Sequence, residues 1–246
     1  MNEILRSLHE RKSVRVFEPR PISSEDKERI LLAACAAPSA GNQQLYTILD
    51  ITDQALLDQL ALSCDHQPFI ASAPMALIFC ADQQKWLDAY QAAGAQPRQP
   101  GPGDLMLAVA DACIAAQNAV TAAQSLGIGS CYIGDIMENI EQHRQMLALP
   151  PLVFPVAMLV FGYPTPQQQA RQKPARSGLH HIVHQNQYQR MNKPQLSEML
   201  RRGRQDWQFD SWVQAFCERK YNSDFAREMS RSVGKYLEAF GMQARQ

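Results

Sequence analysis

The sequence lacks an excess of charge of either sign, because 24 Lys and Arg residues are balanced by 24 Asp and Glu residues. This balance gives no general attraction to nucleic acid or to an anionic membrane, so any anion site must be a local cluster. The sequence also lacks a run of the ~20 apolar residues that a membrane-spanning helix needs. Residues 1–12 are charged where a secretory signal would be apolar. We therefore expect a cytoplasmic protein with no nucleic-acid or membrane partner.

Motifs that define several common enzyme classes are missing. GxSxG, HExxH and Walker-type loops do not occur, which leaves hydrolase and NTPase functions without support. None of the six cysteines forms a CxxC pair, so we expect reduced, partly buried thiols rather than disulfides. His180, His181 and His184 form an HHxxH pattern, but no cysteine or acidic residue accompanies them in the sequence. We therefore expect no metal site.

The sequence does contain an alternation of helical and β-rich segments. Residues 21–36 are predicted to form a helix with Ser23 as its N-cap. Residues 104–126 are predicted to form a long Ala-rich helix, which is apolar around most of its circumference and must be buried in a core or at a subunit interface. Further helices are predicted at about 53–63, 82–93, 138–147 and 224–239, and buried strands at 45–51, 75–81 and 156–161. This alternation favours an α/β or α+β protein.

A basic segment near the N-terminus is the first candidate site. Side chains two residues apart share one face of an extended chain, which brings Arg11, Ser13 and Arg15 together. Two guanidinium groups and a hydroxyl suit a phosphate, which arginine binds through paired, charge-assisted hydrogen bonds. From these residues alone, a solvated basic strand or turn is the alternative.

Three polar segments are further candidates. Residues 37–44 combine small residues, which allow close backbone approach, with Ser, Asn and Gln side chains that could bind a polar heterocycle; an ordinary polar loop is the alternative. Residues 65–69 form another polar loop ahead of a strand. Residues 127–134 look like a dinucleotide-binding fingerprint, but Tyr132 stands where its third glycine should be, and the segment follows a helix. We therefore reject a Rossmann fold.

Taken in order, these segments resemble the nitroreductase superfamily, in particular its flavin reductase and oxygen-insensitive nitroreductase branch. The resemblance covers about residues 3–190 and rests on motifs that occur in register. They are RKSVRVF, APSAGNQQ, DHQPFIASAP, YIGDI, FPVAMLVFGYP and a basic KPxR-like run. The chain departs from the family pattern in two places. Asp135 stands where a second glycine is common, and the usual Lys-Pro-Arg is here Lys173-Pro174-Ala175-Arg176.

The resemblance implies an α+β fold with a central mixed sheet flanked by helices, a long buried helix at a homodimer interface and a C-terminal helical arm. It implies an FMN-binding domain over residues 1–190 and a C-terminal helical extension, residues 191–246, that packs on the same domain. FMN is expected at the subunit interface, where both chains contribute to each site. The residues expected to bind it are Arg11, Lys12, Ser13, Arg15, Pro38, Ser39, Asn42, Gln43, Gln67, Tyr132, Ile133, Gly134, Lys173 and Arg176.

Each part of this set has an implied position on the cofactor. The basic segment 11–15 is expected to contact the phosphate, the ribityl chain and the pyrimidine side, and the KPxR-like run to complete the phosphate site. Residues 38–43 are expected to come from the partner chain. Gln67 is expected to hydrogen-bond the isoalloxazine, and the backbone of residues 132–134 to lie near its reactive edge.

The implied activity is the reduction of small electrophiles with NAD(P)H. Hydride would pass from NAD(P)H to flavin N5 and then to a nitroaromatic, a quinone or free flavin in a ping-pong cycle. No catalytic side chain is expected, because the cofactor carries the redox chemistry. A non-catalytic flavin-binding module, a reductive dehalogenase and a flavin-destroying enzyme are the alternatives. NADPH is expected to be preferred, with NADH possible, through some of the C-terminal basic residues Arg201, Arg202, Arg204, Arg219, Lys220 and Arg227.

Overall fold

The structure is a computed structural model that describes residues 1–241. Contacts group these residues into two compact units, one of residues 1–171 with 228–241 and the other of Gln172–Arg227. The predicted domain boundary between residues 190 and 191 stays a prediction.

The helices of the described chain include every long helix that the sequence predicted. They are α1 (Glu3–Glu10), α2 (Ser24–Cys35), α3 (Gln54–Ser63), α4 (Pro68–Ala71), α5 (Gln84–Ala92), α6 (Pro102–Ser125), α7 (Ile140–Met146), α8 (Pro166–Ala170), α9 (Lys193–Arg201), α10 (Phe209–Phe216) and α11 (Asp224–Glu238). The predicted N-cap of α2 is confirmed, since the Ser23 hydroxyl accepts a hydrogen bond from the Asp26 N–H at 3.1 Å. Such a cap satisfies a backbone donor that has no partner within the helix.

One four-stranded sheet forms the centre of the first unit. Its strands are β1 (Tyr46–Ile51), β2 (Met75–Asp82), β3 (Gly129–Ile133) and β4 (Val153–Gly162), in the order β1-β2-β4-β3. The α+β class is confirmed, but the expectation of a mixed sheet is wrong for these strands, because all three pairings are antiparallel. Every residue of β2 and β4 is buried. Burial on both faces is typical of parallel sheets, so the apolar pattern does not reveal strand direction.

Both faces of the sheet are covered, and the side chains of β2 alternate between them. Leu77 and Phe79 belong to the core cluster that includes α2 and α6, while Ile78 and Cys80 belong to the cluster that includes α3 and α4. This follows from the two-residue period of a β-strand. The result is a sheet between two helical layers, with its edge strand β3 available to position a site.

The long helix α6 packs on the sheet through one face and exposes the other. Its small residues, such as Ala112 and Ala115, are fully buried, whereas Met106 is 66% and Leu107 is 51% exposed. The sequence predicted a helix that is buried on all sides. Within one chain only one face of α6 is buried. By length and composition α6 could cross a membrane, although the sequence was expected to lack such a segment; 44% of its most apolar window is buried within the protein.

The C-terminal segment contributes to both units. Tyr236 and Phe240 are fully buried in the core of the first unit. The Ser232 hydroxyl donates to the carbonyl of Met137 at 2.6 Å and accepts from the Ile140 N–H at 3.0 Å. Within the second unit, α9 and α10 are joined by an ion pair of Lys193 with Asp210, with 2.7 Å between Nζ and Oδ1.

Candidate functional site

The basic segment 11–15 is extended and lies beside the edge strand β3. Ser13 forms an isolated parallel bridge with Ser130, and the Val14 N–H donates to the Ser130 carbonyl at 3.0 Å. Val14 is buried against Gly129, where a Cβ would lie only 2.6 Å from the Val14 Cγ2. The absence of a side chain at Gly129 therefore allows the segment to approach β3.

The three side chains that sequence alternation placed on one face do lie around one residue of β3. Burial raises the pKa of the Cys131 thiol, and the nearby Arg15, Ser13 and Arg11 oppose that rise. Arg11 also lies 5.9 Å from the ring centroid of Tyr132, and its buried Nε has no hydrogen-bond partner. Two guanidinium groups and a hydroxyl thus converge at this edge of the sheet, and such a donor set suits an anion.

A second basic group, which was not predicted from the sequence, is Arg171. Its Nη2 donates to the Ser13 carbonyl at 2.6 Å. The Lys12 ammonium donates to the Gln169 carbonyl at 2.5 Å and to the carbonyl of Arg171. Lys12 was predicted to bind FMN, but here two of its three N–H groups fasten the segment after β4 to the basic segment. Only the position of Arg171 just before the KPxR-like run could have indicated its role.

Lys173 and Arg176 belong to the second unit. Lys173 is half-buried and Arg176 is exposed. Their predicted contact with the phosphate stays a prediction.

The loop that contains Gln67 lies near the basic segment. Asp65 and His66 both have positive φ, and Gln67 is the N-cap of the short helix α4. The Gln67 Nε2 donates to the Cys64 carbonyl at 2.8 Å, so one of its amide N–H groups is used to fix the loop. The ring centroid of Phe69 lies 5.9 Å from the Arg15 guanidinium carbon. The loop and the basic segment are therefore neighbours.

The predicted flavin-edge residues Tyr132, Ile133 and Gly134 lie at the end of β3, a strand that the sequence analysis did not predict. Tyr132 pairs with Leu159 of β4, and burial raises its pKa to about 12. Gly134 precedes a 3-10 turn, Asp135–Met137.

Acidic residues gather just beyond that turn. Glu138 is buried, and its pKa is raised to about 7 by burial and by the charges of Asp135, Asp65 and Glu228. This cluster connects the end of β3 with the Gln67 loop, because Asp65 belongs to that loop. The departure from the family pattern at Asp135 thus adds negative charge beside the candidate site.

The remaining candidates, Pro38, Ser39, Asn42 and Gln43, lie in a loop fixed to α6. Both oxygens of the buried Asp111 carboxylate accept backbone hydrogen bonds, from Ala40 at 2.9 Å and from Leu45 at 3.1 Å. The Gln43 carbonyl accepts from the indole of Trp86 at 2.9 Å. Pro38 and Asn42 are exposed, and Ser39 and Gln43 are half-buried. This loop contacts α6 and α5, whereas the basic segment lies beside β3 and beside the Gln67 loop.

The C-terminal basic residues proposed to select NADPH mostly have partners within the second unit. The Arg204 guanidinium lies 4.6 Å from the ring centroid of Trp212, and Arg219 lies 5.5 Å from that of Phe216. Arg227 forms an ion pair with Asp224 at 3.2 Å. These contacts are with aromatic and acidic neighbours, and a role in binding the 2′-phosphate stays a prediction.

Comparison with known proteins defines the class. The model of the nitroreductase family matches residues 8–163, which include the basic segment, the Gln67 loop and β3. The chain therefore belongs to the nitroreductase family.

Individual relatives agree with this assignment. An FMN reductase [NAD(P)H] of Bacillus subtilis is 29% identical over 97% of this chain and 92% of its own length. An oxygen-insensitive NADPH nitroreductase of Salmonella typhimurium is 35% identical over 76% of this chain and 75% of its own length. The structure of an NADPH:FMN oxidoreductase from Vibrio harveyi complexed with NAD+ has a TM-score of 0.76 and 26% identity, and covers 98% of each chain.

Proposed function

We propose that this chain is an FMN-dependent oxidoreductase that passes hydride from NAD(P)H to small electron acceptors such as nitroaromatics, quinones or free flavin. The observation that carries the proposal is the position of the basic segment beside β3, where Ser13 bridges Ser130 and the Arg11 guanidinium lies 5.9 Å from the ring centroid of Tyr132. It lies within the segment matched by the family model. Relatives named as an FMN reductase and an NADPH nitroreductase support the same cofactor and reductant.

The residues present fit the phosphate of FMN. The cluster offers hydrogen-bond donors and positive charge, and the buried Arg11 Nε still lacks a partner. Arg15 is exposed and its guanidinium faces the Gln67 loop, so Arg15 can bind an anion without losing a structural ion pair. Arg171 and Lys12 hold the backbone of the segment in place. Such positioning is what a protein must supply when the cofactor carries the chemistry.

FMN, held by the basic segment and the Gln67 loop, would supply the redox chemistry that moves hydride from NAD(P)H to an acceptor. The chain's own residues bind and orient. The amide of Gln67 is held by the Cys64 carbonyl, which leaves its second N–H and its oxygen for a heterocycle edge. Asp135, just after Gly134, adds negative charge to the electrostatic environment of that edge. No side chain needs to act as a general acid or base in this proposal.

The proposed active form is a homodimer. In α6, Met106, Leu107 and Ile114 are 66%, 51% and 40% exposed. Helix α1, which packs near α6, also exposes apolar side chains, including Ile4 at 67% and Leu5 at 47%. An apolar surface of this kind is typical of an interface between subunits. A second copy over α6 would supply the burial that the composition of this helix requires.

The test of the proposal is anaerobic mixing of the flavin-loaded protein with NADH or NADPH. We expect the flavin absorbance to be lost rapidly and to return when a quinone or nitroaromatic is added. A flavin-binding module would remain coloured with both nucleotides, and that result would overturn the proposal. Release of halide from a haloaromatic, without turnover of quinones or nitroaromatics, would instead indicate the dehalogenase alternative.

A further inference from the structure

Three potential metal ligands lie close together within the second unit, a grouping that the sequence alone did not predict. His180 and His181 lie in a 3-10 turn, Leu179–His181, and Glu198 lies on α9. One ligand atom from each side chain lies within 4.8 Å of the others. No acidic residue lies near the histidines in the sequence, so a metal site was not predicted, but the fold brings Glu198 beside them.

His181 is a buried imidazole that lacks hydrogen bonds. Its side chain is 5% exposed, and neither Nδ1 nor Nε2 has a hydrogen-bond partner. Buried polar atoms almost always have a partner, so both ring nitrogens of His181 are available to a ligand. The Nε2 lies 3.7 Å from Oε2 of Glu198, too far for a hydrogen bond.

The two imidazoles are oriented in the same sense. A Cβ at Gly178 would lie 2.9 Å from the Cε1 and 3.1 Å from the Nδ1 of His180, and 3.4 Å from the Nδ1 of His181, so the Nδ1 side of each ring lies near this glycine. The ring centroids are 3.9 Å apart. Both Nε2 atoms face the Glu198 carboxylate, at 3.5 Å for His180 and 3.7 Å for His181. Because Gly178 has no side chain, the two imidazole rings can pack against it while their Nε2 atoms lie near the Glu198 carboxylate.

The two nitrogen-to-oxygen separations are close to the length of an edge of a metal coordination polyhedron. Zinc binds imidazole nitrogen and carboxylate oxygen at about 2.0–2.2 Å, which in a tetrahedron separates neighbouring ligand atoms by roughly 3.3–3.5 Å. We propose that His180, His181 and Glu198 bind a divalent transition-metal cation of the Zn²⁺ type, with water completing the coordination. Two imidazoles and a carboxylate are a ligand set that suits such ions better than Ca²⁺ or Mg²⁺.

The ligand set differs from the HHxxH pattern, and His184 distinguishes the two. The Nδ1 of His184 accepts a hydrogen bond from the Gln189 N–H at 3.0 Å, so this nitrogen has a structural role. His184→Ala is therefore the matched control for His181→Ala, because both remove one imidazole from the same unit. Glu198→Gln keeps the size of the side chain and removes its charge.

The experiment is a Zn²⁺ titration of the full-length, chelator-treated protein against a chromophoric competitor. We expect one site, weakened in His181→Ala and Glu198→Gln by more than the roughly 10- to 100-fold that loss of an outer partner costs. His184→Ala should bind like the unmodified protein. Absence of binding in the unmodified protein, or equal affinity in all four proteins, would overturn the proposal.

Cobalt substitution tests the identity of the ligands independently of affinity. Cys35 and Cys113 are exposed thiols that could bind the same ions elsewhere. The proposed nitrogen and oxygen ligands predict visible d–d bands for Co²⁺ without a thiolate-to-cobalt charge-transfer band. A strong charge-transfer band that survives His181→Ala would place the ion on cysteine and contradict the assignment. Loss of the d–d bands in Glu198→Gln, with unchanged far-ultraviolet circular dichroism, would support it.

Discussion

The Arg15 side chain is exposed, so its removal should affect the ligand rather than the fold. We predict that Arg15→Ala loses FMN, because each charge-assisted hydrogen bond contributes ~1.5–3 kcal/mol. At ~1.4 kcal/mol per tenfold, the dissociation constant for FMN should rise roughly ten- to hundredfold. The measurement is flavin retention on dialysis together with fluorescence titration. Arg29→Ala is the control, since Arg29 is also exposed but pairs with Glu25 on α2. Full retention of flavin by Arg15→Ala would contradict the phosphate assignment.

Asp111 is a buried carboxylate that holds the 38–43 loop through two backbone N–H groups. In Asp111→Asn an NH2 group replaces one of the two acceptor oxygens, so one backbone N–H loses its acceptor. An unpaired buried N–H costs ~1–3 kcal/mol. We therefore predict a fall of that size in the free energy of unfolding, measured by urea denaturation, and weaker FMN binding. Asp88→Asn on α5, where the exposed carboxylate accepts from Gln84, should change stability little. If both variants unfold at the same urea concentration as the wild type, Asp111 does not fix the loop.

Glu138 makes stability depend on pH, because its pKa is raised to about 7 from an ordinary value of 4.5. The folded state retains the proton over this interval and the unfolded state releases it, so the contribution of Glu138 to stability is lost as pH rises from 4.5 to about 7. We predict that the free energy of unfolding of Glu138→Gln, relative to that of the wild type, rises by ~1–3 kcal/mol between about pH 5 and about pH 8. This range follows from ~1.36 kcal/mol per pKa unit.

The control for this prediction is Glu10→Gln, which changes an exposed carboxyl. A constant difference in the free energy of unfolding between Glu138→Gln and wild type across the pH range would contradict the assignment.

His143 has the opposite dependence of stability on pH, because burial lowers its pKa. Its Nδ1 donates to the Ile136 carbonyl, and its Nε2 accepts from Ser63. Stability from His143 is therefore lost as the pH falls below the ordinary pKa of histidine, and this effect is common to both variants.

Local patterns predicted some of these residues and not others. The Ser23 cap follows from a short-range sequence rule, and the shared face of Arg11, Ser13 and Arg15 follows from the geometry of an extended chain. Asp111 was missed, although a single carboxylate in an Ala-rich apolar helix is the kind of buried polar group that must have partners. Its partners lie about 70 residues earlier in the chain, at a sequence separation of 71 for Ala40.

Helices and strands were predicted where the apolar period was long or the β-branched content high. Helix α1 was missed because it buries no residue, and β3 because glycine and serine begin it. The antiparallel order was also not predictable, since burial of β2 and β4 on both faces removes the alternation that marks a half-exposed strand. The pairing of Lys12 with Gln169 joins residues 157 positions apart, and only the folded sheet defines that contact.

The contact between the basic segment and β3 depends on Gly129. A Cβ there would lie 2.6 Å from the Val14 Cγ2, so Gly129→Ala must push the basic segment away from β3. We predict a loss of ~1–3 kcal/mol in the free energy of unfolding, typical of overpacking, and a weaker FMN site. The measurement is thermal denaturation together with flavin titration. Gly234→Ala in α11 is the matched control, because nothing lies within 4 Å of its added Cβ.

Opposite outcomes are expected for these two substitutions. Alanine is favoured over glycine in a helix interior by ~1 kcal/mol, so Gly234→Ala should stabilise the protein slightly. Unchanged stability and flavin affinity in Gly129→Ala would show that the basic segment does not need close contact with β3.

For the protein as a whole, assembly decides whether the apolar face of α6 is buried. Ile114 lies on this face at 40% exposure, and a second copy packed there would bury it. We predict that Ile114→Glu dissociates the proposed homodimer, because an unpaired buried carboxylate costs several kcal/mol. A loss of ~3 kcal/mol would raise the dissociation constant roughly hundredfold, which sedimentation velocity at micromolar concentration can measure.

Leu62→Glu is the matched control for this prediction, since Leu62 is a 61% exposed apolar residue on α3. It should leave the dimer intact and flavin bound. Because the predicted site takes residues 38–43 from the partner chain, Ile114→Glu should lose FMN together with its dimeric state. A dimeric Ile114→Glu protein would place the interface on another surface. A wild-type monomer that retains FMN would show that one chain holds the cofactor without a partner, and the proposal of a shared site would then be wrong.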